Sequence, residues 1–307
     1  MKLIFLFLDG VGLATRTETN PFHLYDMPKL RDALGLGFFL EDAAVQMPSL
    51  VFKPIDSGLG CEGTGQSGTG QFSIYTGFNG AQLFGRHYGP FLPSTLRATL
   101  AQENIFKKLK LFGKKPCYAN AFPDSFINAN LVLREQGKIR SSVLFEAAVI
   151  EAIQLRNNKD LKEKKAVSGD IISWWWGQNE AHGDSDVPVI LPEEAAENLI
   201  DLFECYDAVF FEFFLADYAG HRRIKTHASE IVSRLDAYLA SVLSRLPGDA
   251  LFILTSDHGN FEDNSHDRHT LNPVPLLVKG LYAEAFQQIT GIHEIVPSML
   301  SVLKNEN

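Results

Sequence analysis

The sequence predicts an α/β protein with a parallel sheet at its centre, and three observations carry that. Leu3–Leu8, Asp207–Leu215 and Ala250–Leu254 are nearly unbroken apolar runs, as expected of strands covered on both faces. Helical patterns alternate with them, most clearly at Ser229–Leu246, where Ile231, Leu235, Leu239, Val242 and Leu246 follow the 3.6-residue period and Pro247-Gly248 ends it. A helical pattern at Glu103–Leu109, a stop at Gly113 and an apolar stretch at Lys115–Phe122 give the helix–strand order of a crossover unit. The 307 residues suffice for one large domain, and no linker-like composition divides them. One domain over 1–307 is expected, with 124–190, the least regular part, as a small cap or excursion.

Bulk properties exclude several classes. Hydrophobic content is 45% and charged content 21%, ordinary for a globular chain. The formal net charge of −9 argues against a nucleic-acid surface, which needs a basic footprint. Three scattered cysteines, Cys61, Cys117 and Cys205, fit free thiols in a reducing compartment better than a disulfide framework. Met1–Leu8 has the apolarity of a signal peptide, but Asp9 ends the run and no small-residue cleavage site follows, so it reads as the first strand. No run is long enough to span a bilayer, and a cytoplasmic protein without membrane or nucleic-acid partners is expected. Oligomeric state is left open.

Along the chain, chemistry gathers where apolar runs end. The first run closes on Asp9-Gly10-Val11-Gly12, a carboxylate at a strand end that serves either as a metal ligand or as a turn cap. Residues 13–56 hold turns at Asn20-Pro21 and Met47-Pro48 but no evident chemistry, and His23 reads as a surface or packing histidine rather than a ligand. Gly58–Gln71 carries glycines at 58, 60, 63, 65, 68 and 70, which let backbone N–H groups approach a ligand or form a flexible loop. A helix beginning near Gln71 would place the candidate nucleophiles Ser67 and Thr69 at an anion-favouring terminus. Arg86 and His87, in a turn-rich stretch, are either substrate contacts or solvated. Ser142–Leu155 reads as a helix and Asn157–Lys165 as an exposed connection. The Trp174-Trp175-Trp176 run before Glu180, His182 and Asp184 cannot face one core, so at least one ring is expected at a cleft or contact.

Pro192-Glu193-Glu194 opens another helix with proline and acids in its first turn. The following strand leads to Asp217 and His221, four apart, able to converge on an ion or to hydrogen-bond each other. Ala250–Leu254 leads to Ser256-Asp257-His258-Gly259-Asn260 and then Asp267-Arg268-His269-Thr270, a carboxylate and imidazoles of the kind divalent zinc or manganese takes. Asn260, Arg222 and Arg268 are phosphate contacts or structural groups, while His182, His227 and His266 match no motif position. Pro273–Val278 forms a last strand before a helix ending near Leu303.

This pattern resembles the alkaline phosphatase superfamily, most closely the metal-dependent branch of cofactor-independent phosphoglycerate mutase and phosphopentomutase. The resemblance covers the start of the chain, the glycine loop and most of 190–280. Ser256–Asn260 with His269-Thr270-Leu271-Asn272-Pro273-Val274-Pro275 is similar to the mutases' ADHGN…HTxNPVP signature. Asp9-Gly10-Val11-Gly12, Asp217–His221 and Gly65–Gly70 match DGxG, DxxGH and the nucleophile segment in order, with Gln66 and Gln71 in place of its Asn and His. The resemblance implies a doubly wound, mainly parallel sheet with helices on both faces. It implies two divalent ions, Mn2+ or Zn2+, one held by Asp217, His221 and His269 and the other by Asp9, Asp257, His258 and the Ser67 oxygen.

The function implied is a two-metal-dependent phosphoester hydrolase that acts on a small phosphorylated metabolite through a phosphoserine at Ser67. Phosphomutase or phosphodiesterase chemistry at the same site is the alternative. Hydrolysis is favoured because 307 residues leave little room for the mutases' inserted transferase domain. A sulfatase is disfavoured, since Ser67-Gly68-Thr69-Gly70 lacks the Cys/Ser-x-Pro-x-Arg setting. From another class, a non-catalytic metal-binding scaffold would lack a ligand or the nucleophile, and neither is missing.

Overall fold

A computed structural model of the chain describes residues 1–178 and 186–305. Glu180, His182 and Asp184 lie outside the described residues. A seven-stranded sheet organises the molecule, in the order β2 (Val45–Met47), β3 (Leu50–Ile55), β9 (Val274–Gly280), β8 (Ala250–Thr255), β1 (Lys2–Leu8), β7 (Ala208–Phe213) and β4 (Pro116–Tyr118). The pairs β8–β1, β1–β7 and β7–β4 are parallel, whereas β2–β3, β3–β9 and β9–β8 are antiparallel. The parallel expectation thus holds for the half that carries the site, and the sheet as a whole is mixed. The hydrophobic run after Pro273 pairs antiparallel because the loop carrying His269 returns it directly beside β8, without a crossover helix.

Burial alternates along β1 between two cores. Leu3, Phe5 and Phe7 join the helices Ser67–Thr76, Val143–Ile150 and Ile295–Asn305 on one face. Ile4, Leu6 and Leu8 join Pro192–Asp201 and Ala228–Ser244 on the other. This two-sided cover explains the unbroken apolar runs, since neither pleat of a central strand meets water.

Several boundaries differ from the sequence reading. The 103–109 helix is interrupted at Asn104, whose side chain accepts from Lys107 N–H and caps a new helix, Ile105–Leu111. The 115–122 stretch divides into β4 and β5 (Asn120–Ala121), and β5 pairs with β6 (Val167–Ser168) in a separate two-stranded sheet. The 142–155 helix stops at Ile150. The 157–165 connection contains a short helix, Asn158–Lys162, closed by a capping box between Asn157 and Asp160. The tryptophans do separate: Trp176 is buried in a satellite core, Trp175 packs edge-on against Tyr218 at 5.3 Å, and the Trp174 ring lies 5.9 Å from the Arg234 guanidinium.

Beneath the site, fully buried Glu212 on β7 accepts from Tyr75 Oη at 2.9 Å, Tyr118 Oη at 2.5 Å and Ser142 Oγ at 2.7 Å. Burial outweighs these donors and raises its carboxyl to about 7. A raised folded-state value gives stability that is complete below the unfolded value of about 4.5 and lost as pH rises through 7. Against the parent, Glu212→Gln is therefore expected to gain roughly 2–3 kcal/mol between pH 5 and pH 8. Urea midpoints at the two pH values measure this, and a parent-minus-variant difference independent of pH contradicts it.

Candidate metal centre

Three adjacent parallel strands deliver the site. Asp9 follows β1, Asp217 lies in the helix Leu215–Gly220 that follows β7, and Asp257 lies just past β8. All emerge at the carboxyl edge of the parallel half, where open α/β sheets expose their loops. Strand register therefore places the three carboxylates side by side despite more than 200 residues of intervening chain.

Two groups of candidate ligands form. Asp217, His221 and His269 offer atoms within 4.8 Å of one another, as do Asp9, Asp217 and His258. His221 Nε2 lies 3.1 Å from His269 Nε2, and Asp217 Oδ1 lies 3.4 Å from the first and 3.7 Å from the second. His258 Nε2 lies 3.7 Å from Asp9 Oδ1, 3.5 Å from Asp257 Oδ2 and 3.0 Å from Ser67 Oγ. The His258 and His269 rings stack at 3.7 Å and join the groups. All seven residues singled out from sequence thus meet in one place.

The hydrogen bonding fits a cation. His221 Nδ1 faces Asp267 O at 2.8 Å and His269 Nδ1 faces Gly65 O at 2.7 Å. A carbonyl only accepts, so each Nδ1 carries a proton, and the Nε2 atoms, facing each other, are the ones free to offer lone pairs to a cation. Asp9 Oδ1 is buried without a hydrogen-bond partner. Burial, then the charges of Asp257 and Asp217, push Asp9 well above the usual carboxylate range. Burial and Asp217 raise Asp257 to about 7, while burial and His258 hold His269 down to about 4. Crowded carboxylates and neutral imidazoles are the donor set that Mn2+ or Zn2+ accepts.

Ser67 is the first residue of its helix rather than part of a preceding loop. Thr69 N–H donates to Tyr88 O at 3.0 Å, leaving the Ser67 and Gly68 N–H groups as first-turn donors. Thr69 is buried, and its hydroxyl bonds Gln66 O and the Tyr88 backbone, which makes it the poorer nucleophile. The glycines serve close packing of chain segments more than ligand approach. A Cβ at Gly68 would lie 2.2 Å from Phe91 O, and one at Gly70 would lie 2.9 Å from Asp257 Cβ.

Both departures from the mutase motif touch candidate ligands. Gln66 Nε2 lies 3.1 Å from His269 Nδ1. Gln71 donates to Asp257 Oδ2 at 3.3 Å and accepts from Val143 N–H at 3.1 Å, bracing that carboxylate against a neighbouring helix. Asn260 donates to Asp217 Oδ1 at 3.0 Å. Arg86 and Arg268 are exposed, as is Arg222, which bonds Asn264 O, while His87 packs beside Gly63. His227 is exposed and His266 faces Asp263.

Sequence reasoning missed Glu262 and Ser256. Buried Glu262 accepts from Gly12 N–H and Asn260 N–H, both at 2.8 Å, from Asn272 Nδ2 at 3.0 Å, and from Thr270 Oγ1. Ser256 Oγ accepts from Val11 N–H and donates to His258 O, each at 3.0 Å. Together they tie the loop after β1 to the loop after β8. The available signal was an acid two residues beyond Asn260, and a loop acid ordinarily reads as solvated.

Fold and site together form a candidate metal centre, and part of the chain is similar to known metalloenzymes. Residues 187–307 match the Metalloenzyme superfamily. The 2,3-bisphosphoglycerate-independent phosphoglycerate mutase of Saccharophagus degradans is 33% identical over 128 residues, covering 38% of this chain and 24% of that enzyme. The Vibrio atlanticus enzyme of the same name is 31% identical over 105 residues, covering 32% and 21%. The match thus spans about a quarter of the length of these curated relatives.

Among solved structures, the cold-active alkaline phosphatase of a psychrophilic Shewanella sp. superposes with a TM-score of 0.55 at 12% identity, covering 99% of this chain and all of that one. Alkaline phosphatase from the Antarctic bacterium TAB5 gives 0.50 at 13%, covering 99% and 98%. The segment 187–307 thus matches the Metalloenzyme superfamily, the fold is alkaline phosphatase-like, and the sequence similarity to the cofactor-independent phosphoglycerate mutases is distant and partial. Among the described residues no helix is long and apolar enough to cross a membrane.

Proposed function

We propose that the protein is a two-metal-dependent phosphoester hydrolase acting on a small phosphorylated metabolite through a phosphoserine at Ser67. The observation that carries this reading is the position of Ser67 Oγ, 3.0 Å from His258 Nε2 at the first turn of a helix. Asp217, His221 and His269 would hold one divalent ion, Mn2+ or Zn2+, and Asp9, Asp257, His258 and Ser67 the other. Such ions would lower the pKa of the serine hydroxyl and offset charge on the phosphoryl oxygens.

Ser67 Oγ attacks phosphorus, the P–O bond to the leaving group breaks, and the departing oxygen leaves as the alcohol. The Ser67 and Gly68 N–H groups aim at the phosphoryl oxygens and remain fixed throughout. Water then cleaves the Oγ–P bond, regenerating Ser67 and releasing phosphate. If a second hydroxyl of the substrate replaces water, the same steps give a phosphomutase, a reading favoured by the named mutase relatives. The test presents sugar phosphates, nucleotides and phosphonates to metal-supplemented protein, with mass spectrometry of acid-quenched samples. Phosphate release with covalent phosphate on Ser67 is expected. Isomeric phosphate esters without release would select the mutase, and stoichiometric metal without any turnover would overturn both.

A further inference from the structure

We propose that the protein carries a second anion site, remote from the metal centre, that takes a small phosphate-bearing molecule. At the amino ends of β4 and β7, a cavity of about 420 Å³ is lined by Lys110, Lys114, Lys115, Cys117, Arg156 and Tyr206. The metal-ligand candidates lie beyond the opposite end of β7, roughly 20 Å away for six residues at strand rise. This volume falls in the range of small-molecule sites.

Arg156 is the central group. It is 2% exposed, Nε donates to Lys165 O at 2.7 Å, and Nη1 donates to Tyr118 O at 3.0 Å. Two backbone carbonyls hold the guanidinium rigidly, yet among the described residues no carboxylate pairs with it and Nη2 makes no hydrogen bond. A buried cation without a counter-charge is costly, and an anion in the adjoining cavity would supply one.

The surroundings have the same polarity. Lys115 Nζ lies 4.8 Å from the centre of the Tyr206 ring, and Arg156 Cζ lies 5.2 Å from it, so one aromatic ring organises two cations. The neighbouring acids are already engaged. Glu151 accepts from Lys110 Nζ through its carbonyl at 2.5 Å and faces it with its carboxylate at 3.6 Å. Asp207 accepts from Lys115 N–H at 2.8 Å and lies 3.9 Å from Lys2 Nζ. In a chain of net charge −9, four cations around one hollow stand against the overall balance. A fixed guanidinium beside ammonium groups suits phosphate oxygens. The Tyr206 ring and the Ile153 side chain, also at the wall, offer apolar surface to the rest of the molecule.

The test is calorimetric titration of the metal-loaded protein with inorganic phosphate, comparing the parent with the double variant Lys110→Glu, Lys115→Glu. Both lysines are exposed, so the reversal leaves the core untouched, and neither belongs to the metal centre. Two classes of phosphate site are expected in the parent. The double variant should lose one of them, with affinity at least tenfold weaker, while its turnover matches the parent's. A single class in the parent, or two unchanged classes in the variant, would overturn the proposal. So would a second class in the parent that a modest rise in chloride abolishes, since that marks an adventitious ion only.

Discussion

Ser67→Ala is expected to lower kcat by roughly 10³- to 10⁶-fold in metal-loaded protein, with little change in KM. The alanine removes only the attacking oxygen. The helix Ser67–Thr76 keeps its first-turn N–H groups, and Tyr88 O still holds Thr69 N–H at 3.0 Å. Substrate phosphate therefore retains its backbone contacts, and the loss falls on the chemical step. Thr69 does not substitute, because its hydroxyl is buried and bonded to Gln66 O and the Tyr88 backbone. Ser67 Oγ is also a proposed metal ligand, so metal content of the variant is measured alongside kcat. Turnover within tenfold of the parent at equal metal content would rule out Ser67 as nucleophile and point to direct attack by water.

The parts of the site legible in the sequence are those fixed by strand ends. Asp9, Asp217 and Asp257 each follow an apolar run, and a parallel arrangement brings such positions to one edge whatever lies between them. His221 and His269 needed the motif resemblance as well, since histidines near loops are common. Less legible were groups whose role depends on tertiary position. Glu262 looks like a solvated loop acid until the loops after β1 and β8 converge on it. Glu212 sits in an apolar run, and only the packing of Tyr75, Tyr118 and Ser142 against β7 gives its carboxylate partners. Strand direction was half legible: β9 lacks a preceding helix, a cue to antiparallel pairing that apolar content alone conceals. Element limits at Asn104, Ala119 and Ile150 were set by caps and by a change of sheet, which periodicity does not report.

Asp217→Asn is expected to reverse sign with metal. Its Oδ1 lies near both His221 and His269, and the residue also belongs to the group with Asp9 and His258, so one carboxylate serves two clusters. Asparagine preserves shape and the contact with Asn260 but removes the charge. With metal, loss of a ligand should weaken binding by about 100-fold or more, since even groups that merely orient ligands cost 10–100-fold. At saturating metal for the parent, that removes about 2.7 kcal/mol of metal-dependent stability. In chelator the argument inverts. The Asp217 charge is among the causes that raise Asp9 and Asp257, which marks it as a repulsive neighbour of two buried carboxylates. Neutralising it relieves that repulsion, so the metal-free variant should have the higher Tm at pH 8, where the parent's carboxylates ionise most. Thermal unfolding of both proteins with manganese and with chelator, together with elemental analysis, gives the four values required. A variant that binds two ions per chain and gains as much from metal as the parent would remove Asp217 from the ligand set. A variant less stable than the parent in chelator would show instead that Asp217 acts chiefly through its hydrogen bond to Asn260.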